Sequence, residues 1–199
     1  MVPMRSLFFA PVVFFALTSC SSARASCPGF RSSSRARSPG DGLTVVVFRH
    51  AEKPKKGDNL NCQGLNRSLA LPPMLYERFG IPGAIYVPSM AAGDNTLHSR
   101  MFQTMIPFAS KYNLSLTSKF AEDETGMLAS AVLARNGVVM IIWEHKRIPD
   151  IVRALGVRDT DLQWPDDDYD SLWIITVKNG VARLERSAEG LKPAEACPF

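Results

Sequence analysis

The chain has 199 residues, of which 46% are hydrophobic, and a formal net charge of +4; this length suits one domain preceded by a leader. Five of the 23 basic residues and none of the 19 acidic ones lie in residues 1–40, so the remainder carries 18 basic against 19 acidic residues, a net of −1. A nearly neutral domain lacks the basic face that nucleic acid requires, which excludes a nucleic-acid partner and leaves anion attraction to a local site.

Residues 1–25 are typical of a signal peptide, because a basic residue precedes an apolar run over 7–17 that is too short to span a bilayer. Ala-Arg-Ala at 23–25 fits a cleavage site, and the mature chain would then be soluble. Leu-Thr-Ser-Cys at 17–20 resembles a bacterial lipobox equally well. In that alternative the leader is 1–19, and a lipid on Cys20 is the only membrane attachment we expect. Both alternatives predict export to the periplasm or the extracellular space.

Residues 26–41 are rich in Ser, Arg, Pro and Gly, so we expect a disordered linker. The acid-free stretch 21–40 also fits an organelle transit sequence behind the signal peptide. Folded structure is expected to begin near residue 42 and to form one domain over 42–199. An oxidising compartment favours one disulfide among Cys27, Cys62 and Cys197, with Cys62–Cys197 as a candidate pair that the sequence does not fix.

Apolar periodicity predicts alternating strands and helices after residue 42. Short apolar or alternating runs predict strands at 43–48, 85–87, 113–117, 137–143 and 171–177, with 181–184 as a hairpin partner across Asn179-Gly180. Helical spacing predicts helices at 61–71, 74–79, 100–111, 124–135 and 148–155, the first two separated by a break or kink at Pro72-Pro73. The alternation indicates an α/β fold, a three-layer α/β/α sandwich with a mostly parallel central sheet.

Two of the three histidines directly follow predicted strands: His50 comes after Arg49, and His145 comes after Glu144. Ligands of open α/β sheets bind at the carboxyl ends of strands, so parallel neighbours would bring both imidazoles to one crevice. The guanidinium of Arg49 binds phosphate oxygens bidentately. A neutral imidazole is a nucleophile towards phosphorus when its other ring nitrogen is held. This pattern predicts a phosphoryl-transfer site.

Four motifs, in order along residues 42–178, resemble those of the histidine phosphatase superfamily, also called the phosphoglycerate mutase-like family, and in particular its small members. They are Arg49-His50-Ala51-Glu52, the helix start Leu60 to Arg67, the R-x-x-Q-T segment Arg100 to Thr104, and Trp143-Glu144-His145. The resemblance implies the phosphoglycerate mutase-like fold and hydrolysis of a phosphomonoester or a phosphoprotein. It implies that His50 becomes phosphohistidine and that water then frees phosphate. Arg49, Arg100 and His145 would bind the phosphoryl oxygens, and no metal or cofactor is implied.

The sequence departs from the family pattern at Ala51 and Lys146, where glycine is usual. No single proton donor aligns, although a donor contributes about a hundredfold or more to the rate. The candidate acids are Glu122, Asp123 and Glu124, which lie where the family often has its acid, with Glu52 and Glu144 as lesser candidates.

These departures leave a second function open, a catalytically inactive module of the same fold that binds phosphate or a phosphoprotein. A mutase is disfavoured because the domain is too small to enclose a sugar phosphate. A metal-dependent hydrolase is also disfavoured, because the chain contains no H-x-x-x-H or H-x-H spacing.

For four polar features of the sequence we also consider a structural role in place of a functional one. Arg100 has an alternative partner in a surface acid such as Asp94, and His98 is expected to be an exposed loop residue. Arg67 is expected to form a structural salt bridge. The run Asp166-Asp167-Asp168 lacks the glycine and the closing glutamate of a calcium loop, so a solvated turn is expected there.

Overall fold

The computed structural model describes residues 42–90 and 97–197. The predictions for the leader, the linker, Cys20 and Cys27 lie outside these residues. The elements are β1 (Leu43–Arg49), α1 (Cys62–Phe79), β2 (Ala84–Tyr86), α2 (Ser99–Tyr112), α3 (Thr125–Leu133), β3 (Gly137–Trp143), α4 (Ile148–Ala154), β4 (Ser171–Lys178) and β5 (Val181–Ala188). Within the two described ranges, no helix has both the length and the apolar character needed to cross a bilayer.

The five strands form one mixed sheet in the order β2-β3-β1-β4-β5. β3 is parallel to β1 and β2, whereas β4 is antiparallel to both β1 and β5. The expectation of a mostly parallel sheet is therefore wrong. Asn179 and Gly180 have φ angles of 51° and 73°, and this two-residue turn joins antiparallel strands because a parallel connection needs a much longer crossover. The predicted hairpin thus forms, and it extends to Ala188 rather than 184.

The core consists of two clusters to which alternate residues of β1 contribute. Val45 and Val47 pack in one cluster with residues of α3 and α4, and Val46 and Phe48 pack in the other with residues of α1 and α2. This alternation follows from the two-residue period of a strand. Burying each such side chain stabilises the fold by about 1.5–3 kcal/mol, so the continuous apolar run of β1 ties the four helices to the sheet.

The helix α1 is continuous over 18 residues and contains Pro72 and Pro73. The predicted division into two helices at these prolines is wrong. A proline in a helix interior costs about 3 kcal/mol through its missing N–H and its ring. Leu71 and Leu75, on either side of the pair, are completely buried in the cluster shared with α2, and this packing opposes the cost.

The segment 113–117 does not form the strand that the sequence predicts. Only Thr117 makes a bridge, with Tyr86 of β2. Its N–H donates to the Ile85 carbonyl at 2.8 Å and its carbonyl accepts from Val87 at 3.0 Å. Leu114 and Leu116 pack as half-buried residues against the core, which accounts for their apolar alternation without a strand.

The first turn of α1 is fixed by a cap, a close approach and a disulfide. The Asn61 side chain accepts from the Gly64 N–H at 2.8 Å. A Cβ on Gly64 would lie 2.2 Å from the Glu52 carbonyl oxygen, so only glycine lets the helix approach the chain just after β1. Cys62 and Cys197 form the disulfide considered above, which closes a loop with a sequence separation of 135 residues and ties the C-terminal segment to α1.

Arg67 of α1 is the centre of a buried ionic cluster, as expected for a structural partner. Its guanidinium contacts Glu52 at 2.8 Å, Glu189 at 2.6 Å and Asp170 at 3.1 Å. Burial raises the pKa of the Glu189 carboxyl to about 8, although the Arg67 charge opposes this rise. One cation therefore holds three acids from separate parts of the chain.

Replacing Arg67 with methionine leaves the acid side chains of Glu52, Asp170 and Glu189 without the cation that they share. Removing one partner of a buried ion pair costs about 3–5 kcal/mol, so we expect Arg67→Met to lower the free energy of unfolding by that amount in urea denaturation. Arg153→Met is the matched control, because Arg153 and Asp150 form an exposed pair that contributes at most about 1 kcal/mol. Equal losses in the two variants would contradict the role of the cluster.

Candidate active site

The pairing of β1 with β3 places the two histidine motifs side by side. The strands are parallel and in register, with Arg49 opposite Trp143. The His50 N–H points to the Trp143 carbonyl at 3.4 Å. His50 and His145 therefore leave the sheet at the same edge, which is the arrangement that the sequence predicted.

His50 is completely buried, and its ring is oriented by the backbone. Nδ1 lies 2.7 Å from the Ala51 carbonyl oxygen. Because a carbonyl only accepts, Nδ1 carries the proton and Nε2 keeps the lone pair. Burial lowers the pKa of the His50 imidazole, although contacts with Glu144 and the Ala51 carbonyl oppose this. The ring is therefore neutral near pH 7 and presents Nε2 as a nucleophile.

The hydroxyl of Thr104 connects His50 to α2. It accepts from the Ala51 N–H at 2.9 Å and donates to the Arg100 carbonyl at 2.7 Å. The threonine of the R-x-x-Q-T segment thus positions the backbone of the arginine relative to the nucleophile.

Arg49 is buried and held by groups that leave its charge unpaired. Nη1 donates to the Asp166 carbonyl at 2.6 Å and contacts the Asp168 carbonyl at 3.3 Å. The guanidinium carbon lies 4.0 Å from the centre of the Tyr169 ring. Burial lowers the pKa of Arg49, and the surrounding acids oppose the change. Within the described part of the chain no carboxylate forms a salt bridge with it, so its positive charge remains available to an anion.

Glu144 lies between the two histidines. Its Oε2 is 3.3 Å from His50 Nε2 and its Oε1 is 2.5 Å from His145 Nδ1. Burial alone would raise the pKa of the Glu144 carboxyl. The neighbouring imidazoles of His50 and His145 and the charge of Arg49 outweigh burial and lower the pKa to about 2. The carboxylate is therefore ionised and occupies the space between the two rings.

The turn at Asp166 is exposed, as expected, and it also takes part in the site. Asp166 Oδ1 lies 2.6 Å from His145 Nε2, and this contact lowers the pKa of the carboxyl. The carbonyls of Asp166 and Asp168 also hold Arg49. The preceding Trp164-Pro165 is the feature of the sequence that could have indicated an ordered turn here. Trp164 is buried, and its indole donates to the Asp168 carbonyl at 3.0 Å.

Arg100 and His145 line one cavity of about 370 Å³. Nη1 of Arg100 donates to the Gly57 carbonyl at 3.1 Å and lies 3.6 Å from Asp58 Oδ1. The alternative partner Asp94 is outside the described residues. The remaining wall of the cavity is formed by Lys53, Asp58, Leu97, His98, Glu122, Glu144 and Lys146.

Four buried side-chain nitrogens in the described ranges have no hydrogen-bond partner, and they belong to the four residues that the sequence selected. They are Arg49 Nε, His50 Nε2, Arg100 Nε and His145 Nδ1. Both histidine nitrogens lie close to the Glu144 carboxylate, at 3.3 Å for His50 Nε2 and 2.5 Å for His145 Nδ1. An unsatisfied buried polar group costs about 1–3 kcal/mol. The two arginine Nε atoms therefore lack an acceptor that an oxyanion would provide, whereas the two histidine nitrogens face the Glu144 carboxylate.

Of the three candidate acids, only Glu122 lines this cavity. Its carboxylate lies 3.1 Å from His98 Nδ1 and 3.6 Å from Arg147 Nε. The Glu124 carboxylate instead accepts from the Ala121 N–H at 2.7 Å, and Asp123 is exposed. His98 is half-buried at the cavity wall, so the expectation of an exposed loop residue is wrong.

The two lesser candidates for the proton donor, Glu52 and Glu144, differ in their surroundings. Glu52 is held by Arg67, whereas Glu144 lies between the imidazoles.

Across residues 42–90 and 97–197, no group of three or more His, Cys, Asp and Glu side chains is placed to hold a metal ion.

No family model matches the sequence, and no curated protein does. Solved structures match by shape. The protein histidine phosphatase SixA complexed with tungstate has 13% identity and a TM-score of 0.53, over 73% of this chain and 97% of that chain. A protein of Agrobacterium tumefaciens provisionally assigned as phosphohistidine phosphatase SixA has 18% identity and a TM-score of 0.53, over the same shares of the two chains. At such identities the similarity shows a common fold.

The neutral state of His50 can be tested by an NMR pH titration of the imidazole resonances. We expect His50 to titrate below its ordinary value of about 6.5, because burial disfavours the charged ring. In Glu144→Gln the carboxylate that favours the charged ring is lost, so the pKa of His50 should fall further. A pKa of His50 above 6.5 in the parent protein would contradict this description.

Proposed function

We propose that this chain is a member of the histidine phosphatase superfamily, with the three-layer fold of that family, and that it hydrolyses a phosphorylated substrate through a phosphohistidine on His50. The observation that carries the proposal is the position of His50 and His145 on either side of one carboxylate, together with buried Nε atoms of Arg49 and Arg100 that lack an acceptor. The shared fold with protein histidine phosphatase SixA supports it.

The chemistry follows from the orientation of His50. Its Nε2 lone pair attacks phosphorus, the bond from phosphorus to the leaving group breaks, and the leaving atom takes a proton from an acid. Charge spreads over the three equatorial oxygens of the phosphoryl group in this step. Once Glu144 has moved out of the space between the imidazoles, Arg49, Arg100 and His145 stabilise that charge. Water then attacks phosphorus and gives a proton to the carboxylate that the acid left behind. The bond from phosphorus to His50 Nε2 breaks, and phosphate leaves while Nε2 regains its lone pair.

We infer that Glu122 is the acid that protonates the leaving group. It is the one residue of the predicted trio that lines the cavity shared by Arg100 and His145. Its two basic neighbours, His98 and Arg147, orient the carboxylate.

A phosphorylated protein side chain is the substrate class that we favour. The similar structures carry the names of phosphohistidine and protein histidine phosphatases. Lys53 and Lys146 line the cavity and would attract an anionic group.

We also propose that the protein is exported, and the disulfide between Cys62 and Cys197 supports this because such bonds persist in oxidising compartments.

The second candidate function is a binding module without turnover. The observation that favours it is the position of the Glu144 carboxylate, which lies 3.3 Å from the nucleophilic nitrogen of His50 and obstructs attack by this nitrogen, while the guanidiniums of Arg49 and Arg100 can still bind an anion.

Trapping of the intermediate distinguishes the two functions. We expect rapid quenching with labelled p-nitrophenyl phosphate to yield label on His50 that is acid-labile and base-stable, as a phosphoramidate is, together with release of p-nitrophenol. His50→Ala should abolish both signals. A parent protein that binds phosphate but gives neither label nor p-nitrophenol would be a binding module.

If Glu122 is the proton donor, the loss of rate in a Glu122 variant depends on the leaving group of the substrate. Loss of a proton donor reduces the rate by about 10²–10⁴, but only where the leaving group needs a proton. Glu122→Gln should therefore strongly reduce kcat for an alkyl phosphate and leave kcat for p-nitrophenyl phosphate within a few-fold. Glu124→Gln is the control, because Glu124 caps a local turn. Equal losses on both substrates in Glu122→Gln would contradict the assignment.

A further inference from the structure

Glu144 occupies the place where the phosphoryl group of the proposed reaction must bind. Its two carboxylate oxygens face His50 Nε2 and His145 Nδ1, at 3.3 Å and 2.5 Å. A bond between phosphorus and His50 Nε2 would put phosphoryl oxygens into the same space. The carboxylate and the phosphoryl group therefore exclude each other.

The charge of Glu144 suits the position that it holds. The carboxylate is ionised, and the nearby Arg49 contributes to keeping it so. Its side chain is 15% exposed, so solvent screens its interactions only in part. In the absence of substrate, this internal anion neutralises part of the positive charge of the site.

The backbone at Glu144 is fixed, whereas a route exists for its side chain. The Glu144 carbonyl accepts from the Arg147 and Ile148 N–H groups at 2.9 Å and 3.3 Å, where α4 begins. Glu144 also lines the cavity of about 370 Å³ that contains Lys53 and Lys146. Rotation of the side chain into this cavity would free the space between the imidazoles and place the carboxylate near the two lysines.

Building on the proposed function, we propose that Glu144 is a specificity-determining residue, an internal anion that a substrate must displace from between His50 and His145. A small free oxyanion makes few contacts beyond this space, so it competes poorly with the carboxylate. A larger phosphorylated substrate makes further contacts with the cavity wall and displaces it. The same competition weakens the binding of the product phosphate and so aids its release.

Tungstate is a suitable probe because it resembles phosphate in shape and charge. Isothermal titration calorimetry should show weak binding to the parent protein and binding tighter by about tenfold or more in Glu144→Ala, since a like charge at this distance is removed. Glu144→Gln keeps the shape and removes the charge, so we expect a smaller gain in affinity. It also decides the question if the alanine variant does not fold.

Glu122→Ala is the matched control. It removes an acid from the same cavity, but this acid contacts His98 and Arg147, so the gain in tungstate affinity should be several-fold smaller. In parallel, the inhibition constant for phosphate as product, measured with p-nitrophenyl phosphate, should fall in Glu144→Ala and should fall several-fold less in the control.

The outcomes separate this proposal from the one on which it rests. Unchanged tungstate affinity in both Glu144 variants, or an equal gain in Glu122→Ala, would overturn the role of Glu144 while labelling of His50 still supports the phosphatase. Absence of label on His50 in the parent protein would overturn the phosphatase itself, whatever the tungstate affinities are.

Discussion

The parallel, in-register pairing of β1 with β3 is the interaction on which the site depends. Because Arg49 lies opposite Trp143, the residues that follow both strands emerge together, and His50 and His145 meet around one carboxylate. A slip of one residue would turn every side chain of one strand to the other face. The two apolar clusters, each of which takes alternate residues of β1, prevent that slip. The hydrophobic core thus sets the geometry of the polar site.

Around this pairing the protein holds buried polar groups in place with backbone atoms rather than with opposite charges. The Ala51 carbonyl sets the tautomer of His50, and the carbonyls of Asp166 and Asp168 hold Arg49. A carbonyl orients a side chain without cancelling a positive charge. His50 therefore keeps its nucleophilic nitrogen, and Arg49 keeps a charge that can bind an anion. Glu144 is the exception, since it brings a full negative charge into the centre of the site.

The scaffold outside the site uses the opposite arrangement. Arg67 is fully compensated by Glu52, Asp170 and Glu189, and the disulfide between Cys62 and Cys197 fixes the C-terminal segment on the same helix. Because Glu52 follows His50 by two residues, the compensated cluster anchors the chain just beyond the uncompensated site. Stability and the capacity to bind an anion are thereby assigned to neighbouring but separate groups of charges.

The sequence by itself determined β1, β3 and the hairpin turn at Asn179-Gly180, and it selected Arg49, His50, Arg100 and His145 as candidate site residues, because strand periodicity, turn chemistry and motif order are local properties. Tertiary structure alone decided the antiparallel direction of β4, the continuity of α1 through its prolines and the loss of a strand at 113–117, since packing against distant residues overrides local preference. It also decided that Glu144 lies between the imidazoles and that Asp166 contacts His145. These contacts depend on where separate segments of the chain meet, and neither composition nor spacing carries that information.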